Sequence, residues 1–322
     1  MDRPGAVGQL RTAVEAFAST YLAPAEPWCV GLSGGPDSLA LTAVAAQLRP
    51  TTALIVDHGL QPDSAAVAET ARTQALALGC VDAQVVCVRV GNEGGPEAAA
   101  RAARYAALNA WRGGPVLLAH TLDDQAETVL LGLGRGSGPR SIAGMRPHDP
   151  PWCRPLLGVR RSVTHAACQE LGLTVWQDPH NTDRRFTRTR LRSEVLPLLE
   201  DVLGGGVAEA LARTATALRE DTELIDKLAA EALPSIRTGH ADDGLRTSAL
   251  ATLPDPVRRR VIRGWLLAGG ATGLTDKQIR GVDRLVTAWR GQGGVAVGSP
   301  LRGQRLVAGR HDGILTLRCE PV

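Results

Sequence analysis

The feature that most limits the fold is a glycine-rich loop that joins an apolar run to a helical pattern near the N-terminus. The apolar run, Pro27–Leu32, ends at the sequence SGGPDS, Ser33–Ser38, and helical apolar spacing continues from Ser38 to Leu48. A short apolar run that stops at glycines is typical of a buried strand. Two adjacent glycines let the backbone turn sharply and come close to a ligand. The succession of strand, loop and helix therefore predicts the first unit of an α/β fold.

Further strand and helix patterns alternate through the first half of the chain. The predicted strands after the first are Thr52–Val56, Gln84–Val90 and Val116–Ala119, and the predicted helices are Ala65–Leu78, Pro96–Trp111 and Asp123–Leu133. Helices between successive strands predict a doubly wound parallel sheet. Ligands of such sheets bind beyond the carboxyl ends of the strands, which is where the sequence places Ser33, Asp57 and His120.

The pattern changes in the second half. Gly134–Pro155, rich in Gly, Pro and Arg, is predicted to be a loop, and the three glycines Gly204–Gly206 are the predicted linker. The other predicted elements are helices over 162–171, about 187–199, 207–233, 256–267 and 276–289, and short strands over 295–297, 305–308 and 314–318. We therefore predict an α/β domain over residues 1–203 and a smaller, mostly helical domain over residues 207–322.

Composition narrows the class of protein. The chain has 322 residues and no run of 18 apolar ones, so we expect no membrane span. No secretory signal is evident, and none of the six cysteines forms a C-x-x-C pair, so we predict a cytoplasmic protein with reduced thiols. Of the 36 lysines and arginines only Lys227 and Lys277 are lysines, which leaves 34 arginines. A GC-rich genome gives the same bias, so only local arginine clusters argue for nucleic acid.

The SGGPDS loop has the chemistry of a phosphate-binding site. Its glycines can turn N–H groups toward an anion, and the following helix adds its positive end. Asp37 would repel a phosphate unless a cation lay between them, which suggests Mg²⁺. The loop lacks the lysine of the G-x-x-x-x-G-K-[ST] phosphate loop. The alternative is a tight turn in which Asp37 caps the helix.

Two further groups of polar residues follow predicted strands. Asp57 and His58 stand where they could face a nucleotide, or they form a polar strand end before a glycine turn. His120 ends the fourth strand, and the acids Asp123, Asp124 and Glu127 lie on the first turn of the next helix. Such acids stabilise a helix N-terminus by themselves. Clustered carboxylates can also hold Mg²⁺, accept a proton or bind an ammonium group.

Arginines recur at two places after these acids. They are Arg135, in the sequence RGSG, and Arg188, Arg190 and Arg192, which alternate beside Phe186. Alternating arginines near an aromatic ring suit a phosphate backbone and a stacked base. The alternative is a solvated helix in an arginine-biased chain.

Eight sequence strings, in this order, resemble the tRNA(Ile)-lysidine synthetases, which are N-type ATP pyrophosphatases of the PP-loop superfamily. They are SGGPDS at 33–38, VDHGL at 56–60, ARAARY at 100–105, AH and DDQAET within 119–128, RGSG at 135–138, GM at 144–145, RPLL at 154–157, and the pattern W-DP-N-D--F-R-R-R from Trp176 to Arg192. They span about residues 27–200, and the resemblance implies a PP-loop ATP-binding catalytic domain over residues 1–203 and a helical domain that binds tRNA or substrate over residues 207–322. The SGGxDS loop is shared with thiolating and amidating relatives, whereas the DDQAET, RGSG and WxDPxN strings favour the lysidine enzymes.

The resemblance implies a ligase that forms a C–N bond in two steps. ATP adenylates the C2 oxygen of the wobble cytidine in tRNA(Ile) with a CAU anticodon, and the ε-amine of free lysine then displaces AMP to give lysidine. The implied ATP-binding residues are Ser33, Gly34, Gly35, Pro36, Asp37, Ser38, Asp57 and His58. The implied catalytic residues are Asp37, His120, Asp124 and Glu127.

The remaining implied roles concern lysine, metal and RNA. Asp123, Asp124 and Glu127 would bind lysine, and Asp37 and Asp124 would hold Mg²⁺. Arg135, Arg188, Arg190 and Arg192 would contact RNA or phosphate. Two departures from the family stand out: Thr121 replaces a second histidine, and the chain ends at Val322, without the extra tRNA-binding domain of longer members. We therefore expect tRNA binding to use fewer surfaces.

Two other functions compete with this one. A tRNA 2-thiolation enzyme also adenylates a base oxygen, but it needs paired or persulfide-carrying cysteines near the site. An ATP-binding regulator would use the loop as a sensor, and the dense acids at 123–127 argue against it. The sequence leaves the oligomeric state open.

Overall fold

The computed structural model describes residues 4–59, 63–91, 95–136, 138–178, 183–239, 244–300 and 303–321. Contacts divide the chain into two compact units, of which the first comprises Met1–Leu130 and Gly144–Arg213 and the second comprises Leu131–Ala143 and Thr214–Val322. The predicted linker, Gly204–Gly206, lies inside the first unit. The bounds of the predicted domains stay a prediction.

Helices and strands alternate as the sequence predicts over the first half of the described chain. The strands are β1 (Trp28–Leu32), β2 (Thr51–Asp57), β3 (Asp82–Cys87), β4 (Val116–Leu117), β5 (His148–Asp149), β6 (Trp152–Cys153), β7 (Leu245–Arg246), β8 (Val295–Val297), β9 (Gln304–His311) and β10 (Ile314–Pro321). The helices are α1 (Ala6–Tyr21), α2 (Pro36–Leu48), α3 (Ser64–Ala77), α4 (Pro96–Trp111), α5 (Leu122–Arg135), α6 (Pro139–Ile142), α7 (Arg161–Glu170), α8 (Thr187–Arg190), α9 (Leu196–Val202), α10 (Val207–Ile236), α11 (Thr247–Ala251), α12 (Asp255–Ala268) and α13 (Asp276–Thr287). A π-helical turn, Leu191–Val195, joins α8 to α9.

A six-stranded sheet forms the centre of the first unit. Its order is β3-β2-β1-β4-β6-β5, and every neighbouring pair is parallel except β5 and β6. The strands β1 and β4 are almost wholly buried, which explains their continuous apolar sequence. This arrangement confirms the predicted doubly wound parallel sheet.

Two parts of the first half differ from the sequence prediction. The helix α1 was not predicted; it buries Leu10, Val14 and Phe17 on one face and packs against α2 and α7. The prediction of a loop over Gly134–Pro155 is wrong where α6, β5 and β6 lie. Elements of two to four residues are too short to give a periodic pattern, so sequence spacing could not reveal them.

The second unit combines helices with a small antiparallel sheet. Its four strands have the order β7-β10-β9-β8, and its core is formed chiefly by α12 and α13 against that sheet. A capping box at Thr275 and Gln278 starts α13. The unit is mostly helical, as predicted, and its last three strands lie where the sequence placed them. No described helix of either unit is long and apolar enough to cross a membrane.

Candidate active site

The first unit contains an open cavity at the point where the order of its strands reverses. The chain continues from β1 to one side through β2 and β3, and then to the other side through β4. Crevices at such switch points, beyond the carboxyl ends of the strands, are the usual ligand sites of α/β sheets. The cavity measures about 830 Å³. Of the predicted site residues, those that line it are Ser33, Gly35, Pro36, Asp37, Ser38, Asp57, His58, His120, Asp124 and Arg192.

The SGGPDS loop forms the turn between β1 and α2. Gly34 has φ +81°, a left-handed conformation that favours glycine, and Pro36 occupies the first turn of the helix. The hydroxyl of Ser38 donates to the carbonyl of Gly35 at 2.9 Å and lies 3.1 Å from the hydroxyl of Ser33. These contacts fix the loop so that the first turn of α2 faces the cavity with N–H groups that can bind an anion.

Asp37 lies on that first turn. Thr164 of α7 donates a hydrogen bond to its Oδ1, and Nε of Arg161 lies 3.6 Å from its Oδ2. Burial raises the pKa of Asp37 above its ordinary value, and the charge of Asp124 adds to that effect, although Thr164 and Arg161 oppose it. Asp37 is therefore a carboxylate whose negative charge the fold only partly compensates.

Asp124 is held more firmly. Its Oδ2 accepts hydrogen bonds from the backbone N–H and the hydroxyl of Thr121, both at 2.8 Å, and its Oδ1 accepts one from Arg161 at 2.7 Å. Burial by itself would raise the pKa of Asp124, but Arg161 and Thr121 outweigh burial and lower it. The side chain is therefore ionised at neutral pH. Thr121 serves here to orient this acid.

The other two predicted acids are bound to arginines. Glu127 is wholly buried and accepts hydrogen bonds from Nε of Arg192 at 2.8 Å and from both terminal nitrogens of Arg161 at 3.3 Å. Asp123 accepts the backbone N–H of Arg161 at 2.7 Å and pairs with Arg160 at 3.3 Å. Neither side chain lines the cavity. Their role in lysine binding stays a prediction. Their contacts indicate that both acids act by holding Arg160, Arg161 and Arg192 in place.

Arg161 is the residue at the centre of this site that sequence reasoning missed. The guanidinium of Arg161 contacts Asp37, Asp124 and Glu127. The residue lies at the start of α7, and only 16% of its side chain is exposed. The signal in the sequence was the pair Arg160 and Arg161, after the family string RPLL and at the start of a helical pattern. The arginine bias of the chain hid it.

The four predicted RNA- or phosphate-contacting arginines lie in different surroundings. Arg192, on the π-helical turn, faces the acids: it binds Glu127 and lies 3.5 Å from Asp124. Arg188 donates to the hydroxyl of Thr128 at 3.5 Å, Arg190 is exposed and lies 3.4 Å from Glu194, and Arg135 ends α5 in the second unit. A π-helical turn often marks a functional site. RNA contact by these arginines stays a prediction.

Among the described residues, four buried polar atoms around the cavity lack a hydrogen-bond partner. They are Nδ1 of His58, Nδ1 of His120, Nε of Arg104 and Nε of Arg161, and all four side chains line the cavity. Burial lowers the pKa of His58, His120 and Arg104, so both histidines are neutral at neutral pH. Buried polar groups normally have partners, and their absence indicates a polar ligand. Arg104 belongs to the string ARAARY but was not singled out from the sequence.

The carboxylates that line the cavity can be compared with the ligands that Mg²⁺ requires. No group of three or more His, Cys, Asp or Glu side chains suited to a metal occurs in the parts of the chain that the structure describes. Mg²⁺ beside a nucleotide commonly uses only one or two carboxylates together with phosphate oxygens. Asp37 and Asp124 both line the cavity, and the charge of Asp124 raises the pKa of Asp37. A cation would offset that repulsion, so the residues fit the ion.

Some of the motif residues lie outside the described residues. They are Leu60 of VDHGL, Ser137 of RGSG, and Pro179 and Asn181 of the WxDPxN string. The described part of that last string contributes Trp176, Gln177 and Asp178 to the cavity lining. The backbone N–H of Trp176 donates to the carbonyl of Gly34 at 3.0 Å, which fixes this segment against the glycine loop.

Comparisons with known proteins agree with this geometry. The model of the PP-loop domain matches residues 9–199, and that of the TilS substrate binding domain matches residues 245–313. The tRNA(Ile)-lysidine synthases of Mycobacterium bovis and Mycobacterium leprae are 80% and 79% identical to the chain over the full length of both partners. That of Nocardia farcinica is 61% identical over 96% of this chain and 97% of its own.

One solved structure resembles this chain in its fold only. The U34-tRNA thiolase NcsA from Methanococcus maripaludis, with its [4Fe-4S] cluster, has a TM-score of 0.57 and 17% identity over 67% of this chain and 80% of its own. The sheet, the loop at the switch point and the PP-loop match together define a ligase-type PP-loop enzyme that uses ATP. The chain belongs to the tRNA(Ile)-lysidine synthase family. This confirms the resemblance noted in the sequence.

Proposed function

We propose that this protein joins free L-lysine to the wobble cytidine of tRNA(Ile) with a CAU anticodon, and that it consumes ATP and releases AMP and pyrophosphate. The observation that carries the proposal is the cavity itself, which is lined by the SGGPDS loop, the carboxylates Asp37 and Asp124, and unpartnered polar groups. The 80% identity to tRNA(Ile)-lysidine synthases over the whole chain supports the same substrates. ATP, lysine and tRNA all occur in the cytoplasm, where we place the reaction.

In the first step the C2 oxygen of the cytidine attacks the α-phosphorus of ATP, and pyrophosphate leaves. The loop N–H groups at the start of α2 bind the departing phosphates. Asp37 and Asp124 would hold Mg²⁺, which when bound neutralises charge on the phosphates. Arg104 faces the same cavity with an unpartnered Nε, so we assign it to an oxygen of the α-phosphate. The neutral histidines His58 and His120 can donate to the nucleotide from one ring nitrogen.

Removing the Arg104 guanidinium should slow AMP formation. We expect Arg104→Met to lower its kcat about a hundredfold, because a preorganised donor to a developing negative charge contributes roughly that much. The fold should keep its melting temperature, since no acid among the described residues lowers the cost of burying this cation, and the loss of its contact with Tyr105 is offset when an apolar chain of similar length replaces it. Arg101→Met is the matched control: Arg101 lies one turn away on α4, but is exposed. Equal kcat values in the two variants would rule out the assigned role.

In the second step the ε-amine of lysine attacks C2, and AMP leaves. The amine arrives as an ammonium ion and must lose a proton before it attacks. Asp124 is the predicted lysine-binding acid that lines the cavity, and its lowered pKa suits it to hold a cation. Asp37, whose pKa is raised, is the better proton acceptor of the two. Glu127 and Asp123 support the site by holding Arg161, Arg192 and Arg160.

The lysine site can be tested at Asp124. We expect Asp124→Asn to raise the KM for lysine about tenfold or more, because a charge-assisted contact to the ammonium is lost. The KM for ATP should rise less, because Asp37 still lines the cavity and one carboxylate together with phosphate oxygens can hold Mg²⁺. Both constants can be measured from AMP release at saturating tRNA, with Asp149→Asn on the exposed edge of the sheet as the control. An equal rise in both KM values would place the amine elsewhere.

The chemistry of the cysteines weighs against the thiolation alternative. Burial raises the pKa of Cys80, Cys153 and Cys168 to about 11, 12 and 11. A thiol is nucleophilic as the thiolate, which these environments disfavour. Burial also raises the pKa of Cys29, and none of the six cysteines lines the cavity. A persulfide carrier needs a reactive thiol beside the adenylated base, so we favour the amine as the second substrate.

Mass analysis of the tRNA product tests the proposal directly. The protein is incubated with ATP, Mg²⁺, lysine and an unmodified tRNA(Ile) transcript, and the wobble nucleoside is then examined. We expect a mass increase equal to lysine minus water, which depends on both ATP and lysine. A folded sample that forms AMP but leaves the nucleoside unchanged, or that adds sulfur instead, would disprove the function.

A further inference from the structure

The side chain of Gln125 is a buried polar group that none of the roles described above uses. It follows Asp124 on the first turn of α5, is only 3% exposed and does not line the cavity. Its amide makes two hydrogen bonds with the backbone of one residue: Nε2 donates to the carbonyl of Met145 at 3.0 Å, and Oε1 accepts from the N–H of Met145 at 2.7 Å. We call this pair of hydrogen bonds the amide clasp.

The residue before Met145 is fitted closely to the amide clasp. Gly144 has φ +65°, a conformation that favours glycine, and a Cβ there would lie 2.7 Å from the amide carbon, nitrogen and oxygen of Gln125. A side chain at position 144 is therefore disfavoured both by the backbone and by Gln125. The amide clasp joins the strings DDQAET and GM, and it gives GM a role although neither of its residues lines the cavity.

The segment that Gln125 binds is itself anchored to the central sheet. The carbonyls of Arg146 and Pro147 accept hydrogen bonds from the guanidinium and the backbone N–H of Arg154, at 2.9 Å and 2.8 Å. The chain then enters β5, which pairs with β6, and Arg154 directly follows β6. The amide clasp therefore connects the first turn of α5 to a fixed part of the first unit.

This connection lies where the chain leaves the first unit and returns to it. The end of α5 belongs to the second unit with the rest of Leu131–Ala143, and the first unit resumes at Gly144. Thr121 and Arg161 orient the side chain of Asp124, whereas the amide clasp holds the turn of helix that carries it. Successive helical residues point about 100° apart, so Gln125 can bind the anchored segment while Asp124 faces the cavity.

We propose that Gln125 is a positioning residue that acts through Asp124. It fixes the first turn of α5 against the central sheet, so that the carboxylate of Asp124 stays where it can receive the amine. A displacement of about 1 Å, caused by a change outside the reacting groups, can reduce a rate about a hundredfold. The inference rests on the proposed function in taking lysine as the ligand whose binding reports the position of Asp124.

Gln125→Leu tests this role, because leucine fills a similar volume and removes both hydrogen bonds. At temperatures well below the melting transition, we expect the KM for lysine to rise and kcat for AMP formation to fall, each about tenfold. The KM for ATP should rise less, because the SGGPDS loop and Asp37 still line the cavity. In an Asp124→Asn background the same change should not raise the KM for lysine further, since Gln125 acts through that carboxylate.

The matched control for this variant is Gln278→Leu. Gln278 also makes two amide hydrogen bonds with the backbone, to the N–H of Thr275 and the carbonyl of Ala296, but it lies in the second unit. This variant should lower the melting temperature and leave kcat and the KM for lysine at saturating tRNA unchanged. A glutamine that serves only stability would behave in this way.

Gly144→Ala tests the amide clasp from its other side, and it keeps Gln125. The new Cβ would force the amide to move, so the KM for lysine should rise as it does in Gln125→Leu. Gly172→Ala is the matched control, because Gly172 has φ +63° in the same unit and no described atom lies within 4 Å of its Cβ position. Both variants should lower the melting temperature through backbone strain, but only Gly144→Ala should change the kinetic constants.

Hydrogen exchange needs no substrate and separates this inference from the proposed function. Backbone amides of Thr121–Gln125 should exchange faster in Gln125→Leu than in the wild type, and at the wild-type rate in Gln278→Leu. If exchange is faster but the wild type forms no lysidine, the proposed function fails and the positioning of α5 stands. If lysidine forms and the kinetic constants of Gln125→Leu and Gly144→Ala equal those of their controls, the positioning role is wrong and the proposed function stands.

Discussion

Replacing Asp37 with asparagine should lower the rate of AMP formation at least about a hundredfold and raise the melting temperature of the protein. The loss of activity follows because the carboxylate on the first turn of α2 is the group that would share Mg²⁺ with the phosphates and accept the proton of the amine. The asparagine keeps the size of the side chain and can still accept the hydrogen bond from Thr164. AMP release and a thermal melt of the same preparation measure the two effects.

The gain in stability follows from the sign of the pKa shift. Burial raises the pKa of Asp37 in the fold, so the folded state binds the proton more tightly than the unfolded chain. The ionised form therefore destabilises the folded state at pH values above the ordinary carboxyl pKa, about 3.9. Asparagine removes that charge. A lower melting temperature for Asp37→Asn, or turnover near the wild-type rate, would contradict the prediction.

The pKa of Asp124, in the same cavity, shifts in the opposite direction to that of Asp37. Asp124 therefore serves as an internal control. Arg161 and Thr121 lower its pKa in the fold despite burial, so its charge stabilises the folded state at neutral pH. That contribution is present above the ordinary carboxyl pKa and is lost as pH falls through the lowered value of the folded state. Asp124→Asn should therefore lower the melting temperature at neutral pH, in contrast to Asp37→Asn.

The sequence predicted those parts of the site that follow strands. Ser33, Asp57 and His120 each come after a buried apolar run, and parallel strands bring such positions to one edge of a sheet. Local spacing therefore placed the loop and the histidines correctly without any knowledge of distant contacts. The sequence also predicted the position of Asp124, on the first turn of the helix after the fourth strand.

What the sequence did not reveal depends on contacts between distant segments. Arg161 and Glu127 are 34 positions apart, and no periodic pattern links them. The sequence also suggested that Asp123, Asp124 and Glu127 stand free for an ammonium ion, whereas the fold already surrounds them with Arg160, Arg161 and Arg192. An arginine-rich composition makes such residues hard to distinguish from solvated ones.

Replacing Arg161 with methionine should have a second large effect, on stability and activity together. The change leaves Asp37, Asp124 and the wholly buried Glu127 without the cation that all three contact, and Arg192 then contacts only Asp124 and Glu127. Removing one partner from a buried ion pair typically lowers the free energy of unfolding by about 3–5 kcal/mol. Urea denaturation measures this loss, and AMP formation should fall at least about a hundredfold because Asp37 and Asp124 lose their orientation.

The neighbouring residue distinguishes this effect from the loss of any arginine at the start of α7. Arg160 pairs with Asp123, Glu200 and Glu209, but 37% of its side chain is exposed, so Arg160→Met should lower the free energy of unfolding by only about 1 kcal/mol. The stability of Arg161→Lys should lie between those of the two methionine variants, because a lysine ammonium keeps the charge but lacks the planar fork of donors that the guanidinium presents to the carboxylates. Removal of Arg161 also removes the chief cause of the lowered pKa of Asp124, so any remaining activity should decline at a higher pH on acidification than that of the wild type. If Arg161→Met and Arg160→Met had equal stability and equal pH profiles, Arg161 would not be the residue that organises the acids of the site.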